Sequence, residues 1–237
     1  MPPGVRNVKV IRENAPTPSF LILAAGVGNR TKGYGNRSLY KYKNKPLIGH
    51  QIDLIKGSYP TAAIFVMLGF DAAKLHRYLM TTYPSVHLIY NSRYEETNEA
   101  YSIITGLMTV SSDHVVLIYN DIIFNRTLLS NLPTDRTSLL VYGDGNIKAD
   151  KAGVCISRNS QNVLSLTHSL PNKWAQIAVL HQPEIGYIRN LFQNEPIDKM
   201  FGYELFNFII RNRSAKIGAF SPDRLLLREI ATPKDLE

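Results

Sequence analysis

The segment Phe20 to Arg30, FLILAAGVGNR, carries an apolar run directly into two glycines one residue apart and then an arginine. Glycine lets the backbone approach a phosphate and turn its N–H groups toward it, and an arginine adds a rigid fork of charged donors. Gly26, Gly28 and Arg30 are therefore candidates for the floor of an anion site, with an ordinary turn as the alternative. The stretch is not a Walker loop, because no Gly-Lys-Ser/Thr follows, and Thr31 stands where a Gly-x-Gly-x-x-Gly pattern needs its third glycine. A second candidate is Asp121 of Tyr119-Asn120-Asp121, which follows the apolar HVVLIY. A carboxylate that ends a buried strand needs a partner. Mg²⁺, which takes one or two carboxylates plus substrate phosphates, is one such partner, and a nearby base or a loop cap is the other.

Other chemistry finds little support. His50, His76, His87, His114, His168 and His181 show no His-x-x-x-His or His-Cys spacing, which argues against zinc. No Ser/His/Asp or Cys/His arrangement stands out either. His181 and Trp174 flank AQIAVL and are candidates for an acceptor pocket, while Tyr101 and Tyr119 could stack on a base or a quaternary ammonium. Core or surface packing is the preferred reading for all four.

The elements that must position these residues alternate between short apolar strands and helical patterns, the mark of βαβ units around a mostly parallel sheet. Strands are expected at 19–25, 62–69, 86–91 and 114–121. Helices are expected from about Pro46 to Gly57, with Ile48, Ile52 and Ile55 on one face, over 71–83, and over 98–110, with Ala100, Ile103, Ile104, Leu107 and Met108 buried. Further on, TSLLVYG, AGVCIS, NVLSLTHS and AQIAVLH read as strands, some antiparallel. PEIGYIRNLF and GYELFNFIIRN then read as helices and AKIGAF as a last strand. Ligands of open α/β sheets gather at the carboxyl ends of the strands, so the residues after strands one and four come first.

With 237 residues, 44% of them hydrophobic, the chain can bury a sizeable core. The expected organisation is a loose basic leader at 1–18, lacking the features of a secretory signal, and a single domain at 19–237. The apolar runs are too short to span a bilayer, and the single cysteine, Cys155, excludes an internal disulfide. A reducing, cytoplasmic setting is expected. Residues 1–60 hold ten bases against two acids, which accounts for the whole net charge of +8. That asymmetry points to a polyanionic partner or a solvated basic loop. A nucleic acid is disfavoured, because RSLYKYKNKP carries no recognition helix or RNA-stacking motif.

Taken together, LAAGVGNR, RSLYKYKNKPLI, YND and REIATPKDLE occur in the order seen in nucleotidyltransferases that activate sugar phosphates and related phosphorylated alcohols. The chain resembles this family over about residues 19 to 237, and NSRYEETNEAYSI is most similar to the branch that makes CDP-choline-type products. The resemblance implies a glycosyltransferase-A-like, Rossmann-like three-layer α/β/α sandwich with a mixed sheet and a parallel core. It implies that Leu23, Ala24, Ala25 and Gly26 line the base and ribose and that Gly28 and Arg30 meet the triphosphate. Asp121 would hold Mg²⁺, and Arg30, Arg37 and Lys45 would screen the phosphates, Lys45 on the substrate side. Thr97 and Asn98 would approach the base or ribose while also serving the start of the 98–110 helix. The implied substrates are an NTP, CTP or UTP, and a phosphorylated small molecule, with pyrophosphate released. A phosphate oxygen is already ionised at neutral pH, so no protein nucleophile is required.

The match departs from the family in four places. Arg37 replaces a lysine and Asn36 the proline before it, Asn120 replaces a glycine, and Ala231 replaces the aspartate expected as second metal ligand. Either Glu229 substitutes as the second ligand, or Asp121 binds the ion with water and phosphates, or catalysis is impaired. Arginine and lysine differ in phosphate geometry. Two alternatives stay open: a nucleotide-sugar glycosyltransferase on the same fold, and a nucleotide-binding homologue without turnover. The oligomeric state is open, a homo-oligomer included.

Overall fold

The computed structural model describes residues 17–26, 35–143, 151–194, 196–223 and 225–236. Gly28 and Arg30 lie outside the described residues, as does most of the expected leader. The chain opens with β1 (Ser19–Ala24), the hairpin β2 (Lys41–Tyr42) and β3 (Lys45–Pro46), then α1 (Leu47–Ser58), β4 (Ile64–Leu68) and α2 (Ala72–Thr82). Next come β5 (His87–Tyr90), α3 (Glu99–Thr109), β6 (His114–Tyr119), β7 (Ile122–Phe124) and α4 (Arg126–Ser130). The strands β8 (Ser138–Tyr142), β9 (Gly153–Ile156), β10 (Val163–Thr167) and β11 (Lys173–His181) follow. The chain closes with α5 (Glu184–Asn194), α6 (Gly202–Arg213), β12 (Gly218–Phe220) and β13 (Leu227–Glu229).

β1 lies at the centre of the main sheet, parallel to β4 on one side and β6 on the other. Phe20, Leu21, Ile22 and Ala24 are fully buried, as a parallel strand covered on both faces requires. β5 extends the parallel set beyond β4, and β11 adds an antiparallel flank to β6. Beyond it stand β9 and β10, with β8 and β12 off the main path. The result is a mixed sheet with a parallel core. Helices α1 and α4 touch each other and α2 joins them through the Tyr83 hydroxyl, which donates to the Gly49 carbonyl at 3.2 Å. α3, α5 and α6 touch one another. The close seat of α3 on β1 depends on Gly106, where a Cβ would collide with the Leu21 side chain.

The expected α1 and α3 faces are buried at Ile48, Ile52, Ile55, Ala100, Ile103, Ile104 and Leu107. Met108 is a correction: it is 52% exposed. Eight positions on from Ala100 it has turned about 80° from the centre of the stripe, and α3 ends one residue later. β13, three residues long and too short to show a period, was not anticipated; it pairs antiparallel with β7. Among the described residues, no helix is long and apolar enough to cross a membrane.

The order of the sheet locates a crevice. From β1 the chain moves outward to β4 and β5, and α3 then returns it to β6 on the other side of β1. β1 and β6 therefore flank a switch point in the strand order, and a cleft lies at their carboxyl ends. Gln51 of α1, 1% exposed, fastens the end of β6: its amide donates to the Tyr119 carbonyl at 2.9 Å and to the Ile122 carbonyl at 2.8 Å. At the opposite end of the same strand, His114 faces His181 across the β6–β11 ladder, the rings stacked at 4.1 Å. Burial lowers the His181 pKa below 6.5, opposed by the Pro133 carbonyl and by Asp135 and Glu184.

Two outcomes follow from these placements. Gln51→Leu leaves two buried carbonyls without their donor and is expected to cost about 1–3 kcal/mol in denaturant unfolding, with loss of any activity that needs Asp121 in place; an unchanged midpoint would show that Gln51 is not the fastener. Because the folded His181 pKa is lowered, the unfolded chain binds its proton first as pH falls. The stability it supports is fully present above about pH 6.5 and is lost as pH falls toward the depressed folded pKa. His181→Phe, measured by urea unfolding across pH 5–8, should flatten that part of the profile.

Candidate functional site

The crevice at the ends of β1 and β6 forms a cleft of about 590 Å³. Among its lining residues are Leu23, Ala25 and Gly26 from the end of β1, Asn120 and Asp121 from the end of β6, and Arg37 from the turn before β2. Arg37 and Asp121 form an ion pair at 2.5 Å in which the Asp121 side chain is 4% exposed and the Arg37 side chain 21% exposed. Asp121 Oδ1 is buried and has no hydrogen-bond partner among the described residues. The cleft is therefore offered a guanidinium whose counter-charge is hidden, beside one unused carboxylate oxygen.

Two of the departures from the family pattern build this pair. The amide of Asn36, 3% exposed, donates to the carbonyls of Phe70 at 2.8 Å and Ala24 at 3.3 Å, while its Oδ1 accepts from the Ser38 amide at 2.9 Å. Asn36 thus caps the short 3-10 turn Arg37–Leu39 and clips it to the ends of β1 and β4. Asn120 completes the clip from the other side, its amide donating to Ser38 Oγ at 2.6 Å. With Ser38 held by both asparagines, Arg37 is aimed at Asp121. Neither contact had a signal in the sequence beyond the two substitutions themselves.

The loop between β5 and α3 makes another wall. Asn91, 3% exposed, donates to Thr97 Oγ1 at 3.0 Å and Ser102 Oγ at 3.1 Å and accepts from the Arg93 amide at 2.9 Å. Thr97 and Asn98 both line the cleft. Asn98 occupies the cap position of α3, yet its side chain makes no capping bond; it donates to the Lys199 carbonyl at 2.6 Å instead. That is a correction to the capping expectation, since the side chain ties α3 to the segment before α6 rather than to its own first turn. Glu99, also in the lining, accepts from the Gly202 amide at 3.3 Å. Burial raises the Glu99 pKa; the backbone amides of Glu99 and Gly202 and the Lys151 charge pull it down, while Asp121 adds to the rise. Burial, with Glu99 and Asp121 nearby, raises the Tyr119 pKa well above 10, so the phenol stays neutral.

The C-terminal strand brings a second charge to the same place. The pairing of β13 with β7 sets Glu229 opposite Ile122, and the Ile230 amide donates to the Asp121 carbonyl at 2.7 Å. The Glu229 side chain is 3% exposed and its Oε1 meets Lys151 Nζ at 3.2 Å. Lys151 lines the cleft. At Ala231 no carboxylate is offered, and the nearby Asp235 accepts from the amides of Ala231 at 2.9 Å and Thr232 at 2.7 Å. Among the described residues no group of three His, Cys, Asp or Glu side chains converges as a metal cage. The unused Asp121 Oδ1 does fit a hard cation that takes one carboxylate and draws its other oxygens from substrate phosphates. Glu229, the other expected ligand, has its Oε1 on Lys151 Nζ.

Of the residues singled out from the sequence, the structure brings Leu23, Ala25, Gly26, Arg37, Thr97, Asn98 and Asp121 to one cleft. Ala24 is fully buried behind it and contributes its carbonyl to Asn36. Lys45 is not among the lining residues; its ammonium pairs with Asp53 on an exposed surface. The hydrogen bond to Asp53 and its charge raise the Lys45 pKa, opposed by partial desolvation. Trp174 is buried edge-on against Tyr119 at 5.7 Å, and Tyr101 packs against Phe192 at 5.9 Å. His181 sits with His114 at the other end of β6. Only Tyr119 of these four lines the cleft. Sequence reasoning missed Lys151, Asn91, Glu99 and Gln176. Gln176 has φ 56° inside the register shift of β11 between Trp174 and Ala178, a bulge of the kind that redirects a side chain and leaves no periodic trace.

Comparison with known proteins agrees with this geometry. Against solved structures, the chain is similar to the inositol-1-phosphate CTP transferase from T. maritima, with 17% identity, 94% of each chain covered and a TM-score of 0.76. It is also similar to the CTP:phosphocholine cytidylyltransferase LicC from Streptococcus pneumoniae, with 18% identity, 93% of this chain and 96% of that one covered and a TM-score of 0.71. At these identities the likeness speaks for the fold. Among curated proteins, the bifunctional protein GlmU of Solibacter usitatus (strain Ellin6076) is 30% identical over 116 residues, 48% of this chain. That match spans only 24% of the length of GlmU. Residues 20–178, which include β1, the Arg37 turn, the Asn91 loop and Asp121, match the MobA-like NTP transferase domain, and the chain belongs to that family.

Proposed function

We propose that the protein is a Mg²⁺-dependent nucleotidyltransferase that joins the NMP part of an NTP, with CTP favoured over UTP, to a phosphorylated small molecule and releases pyrophosphate. The favoured acceptor is a phosphocholine-like phospho-alcohol, and a sugar 1-phosphate is the next choice. The reading rests above all on the Arg37–Asp121 pair at the switch point of the sheet, with Asp121 Oδ1 left over for a cation. Family membership and the two CTP-using structural relatives support it.

In this account an oxygen of the acceptor phosphate donates its electron pair to the α-phosphorus, and the bond to the β-phosphate oxygen breaks, its electrons leaving with pyrophosphate. Both partners are anions, so the protein's task is to hold them together against repulsion and to stabilise the charge that gathers on the leaving group. Leu23, Ala25 and Gly26 form the floor for the nucleoside, and Thr97 and Asn98 stand at its side. Arg37 presents donors to the phosphates, its direction fixed by Asn36 and Asn120 through Ser38. Gly28 and Arg30 are proposed to meet the triphosphate. A divalent cation held at Asp121, when bound, would screen the phosphates and polarise the one under attack.

The test is pyrophosphate release in Mg²⁺ with CTP, UTP, ATP and GTP, each paired with phosphocholine, phosphoethanolamine, glycerol phosphate, inositol 1-phosphate and sugar 1-phosphates. One NTP and one acceptor should stand out, and Asp121→Asn should lower kcat by about 100-fold or more while the circular dichroism spectrum is kept. Undiminished turnover in the variant would remove Asp121 from the mechanism. NTP binding without release for any pair would favour the non-catalytic homologue.

A further inference from the structure

Among the described residues, two cations of similar construction line the cleft. Arg37 is paired with Asp121 and Lys151 with Glu229, and in both pairs the carboxylate is all but buried, 4% and 3% exposed, while the base keeps 21% of its side chain exposed. The two acids come from one small sheet, Asp121 next to β7 and Glu229 in β13. Such an arrangement hides negative charge and shows positive charge, which is how a site for an anion is built rather than a neutral surface pair. The proposed reaction brings two phosphorylated molecules to the cleft, and Arg37 accounts for one of them.

The two cations reach the cleft from different parts of the chain, Arg37 from the turn before β2 and Lys151 from the residues before β9. Phe70, Asn91 and Tyr94 line the cleft from the β4 and β5 side, together with Ala25 and Gly26 just after β1. Lys151 precedes β9, and its companions in the lining are Gln176 of β11 and Phe201 at the start of α6, on the opposite flank of β6. Glu99 at the start of α3 is joined to α6, its carboxyl accepting from the Gly202 amide.

We propose that Lys151 is the cation that binds the phosphoryl group of the acceptor, and that Glu229 is the positioning residue that holds Lys151 toward the cleft. The assignment of that phosphoryl group to the acceptor rests on the nucleotidyltransferase reading; the phosphate-binding role of Lys151 does not. A lysine suits the task as a compact point charge that tolerates acceptors of different shape. Glu229 thereby acquires a job other than metal ligation.

Removing Lys151 alone would take a paired charge from a buried carboxylate, so the test uses the neutral pair Lys151→Met with Glu229→Gln, checked by thermal melting. Inorganic phosphate is the probe in calorimetry, where no turnover is needed. The folded double variant should bind phosphate about tenfold or more weakly than wild type. In steady-state assays its KM for the acceptor should rise by a similar factor, with KM for the NTP within about twofold. Glu229→Asp should recover more of the acceptor KM than Glu229→Gln at equal melting temperature, which a purely structural role would not produce. Unchanged phosphate binding in the folded double variant would overturn the proposal, and an equal rise in both KM values would overturn the acceptor assignment. If no NTP and acceptor pair releases pyrophosphate while phosphate binding still depends on Lys151, the site stands and the reaction falls.

Discussion

The ion pair between Arg37 and Asp121 is the constraint on which the rest of the site turns. A carboxylate at the end of the central strand β6 is nearly removed from water, and such a charge is tolerated only when paired. The pair in turn demands that a residue from a turn distant in sequence arrive at one place with little freedom. Four elements meet that demand. α1 fixes the end of β6 through Gln51, Asn36 fastens the arginine turn to β1 and β4, Asn120 grips Ser38 of that turn, and β13 fixes the Asp121 carbonyl through the Ile230 amide. The switch in strand order around β1 is what brings these elements to one crevice.

The same logic explains why the departures from the family pattern come as a set. Asparagine in place of proline at 36 gains a side-chain amide that reaches two carbonyls, and asparagine in place of glycine at 120 gains one that reaches Ser38. Both changes steady the turn that carries the arginine at 37. The loss of a carboxylate at 231 accompanies a Glu229 that is committed to Lys151 and an Asp235 that is committed to backbone amides. The cleft presents the cations Arg37 and Lys151 and, in Asp121, a carboxylate with a buried oxygen to spare.

Much of the fold was legible in the chain because central elements carry strong periodic signals. The apolar run of β1, the Ile48, Ile52, Ile55 stripe of α1 and the Ala100 to Leu107 stripe of α3 are each dictated by burial. Asp121 and the glycine at 26 could be picked out because polar and small residues that end a buried strand in an open sheet have few other uses. The remainder depended on tertiary placement. Lys151 precedes a short strand, β9, and its ion-pair partner Glu229 lies in β13, itself only three residues long, while Gln176 owes its position to an irregularity in β11. Lys45 is the opposite case: motif position singled it out for a phosphate, and the hairpin of β2 and β3 and the first turns of α1 place it beside Asp53, outside the described lining of the cleft.

The most direct measurement is a crystal structure with CTP and Mn²⁺ in place of Mg²⁺, the metal located by its anomalous signal. The account predicts one manganese on Asp121, with the triphosphate beside Arg37 and the nucleoside over Leu23, Ala25 and Gly26. Nucleotide bound away from this cleft, or manganese bound there without contact to Asp121, would contradict it.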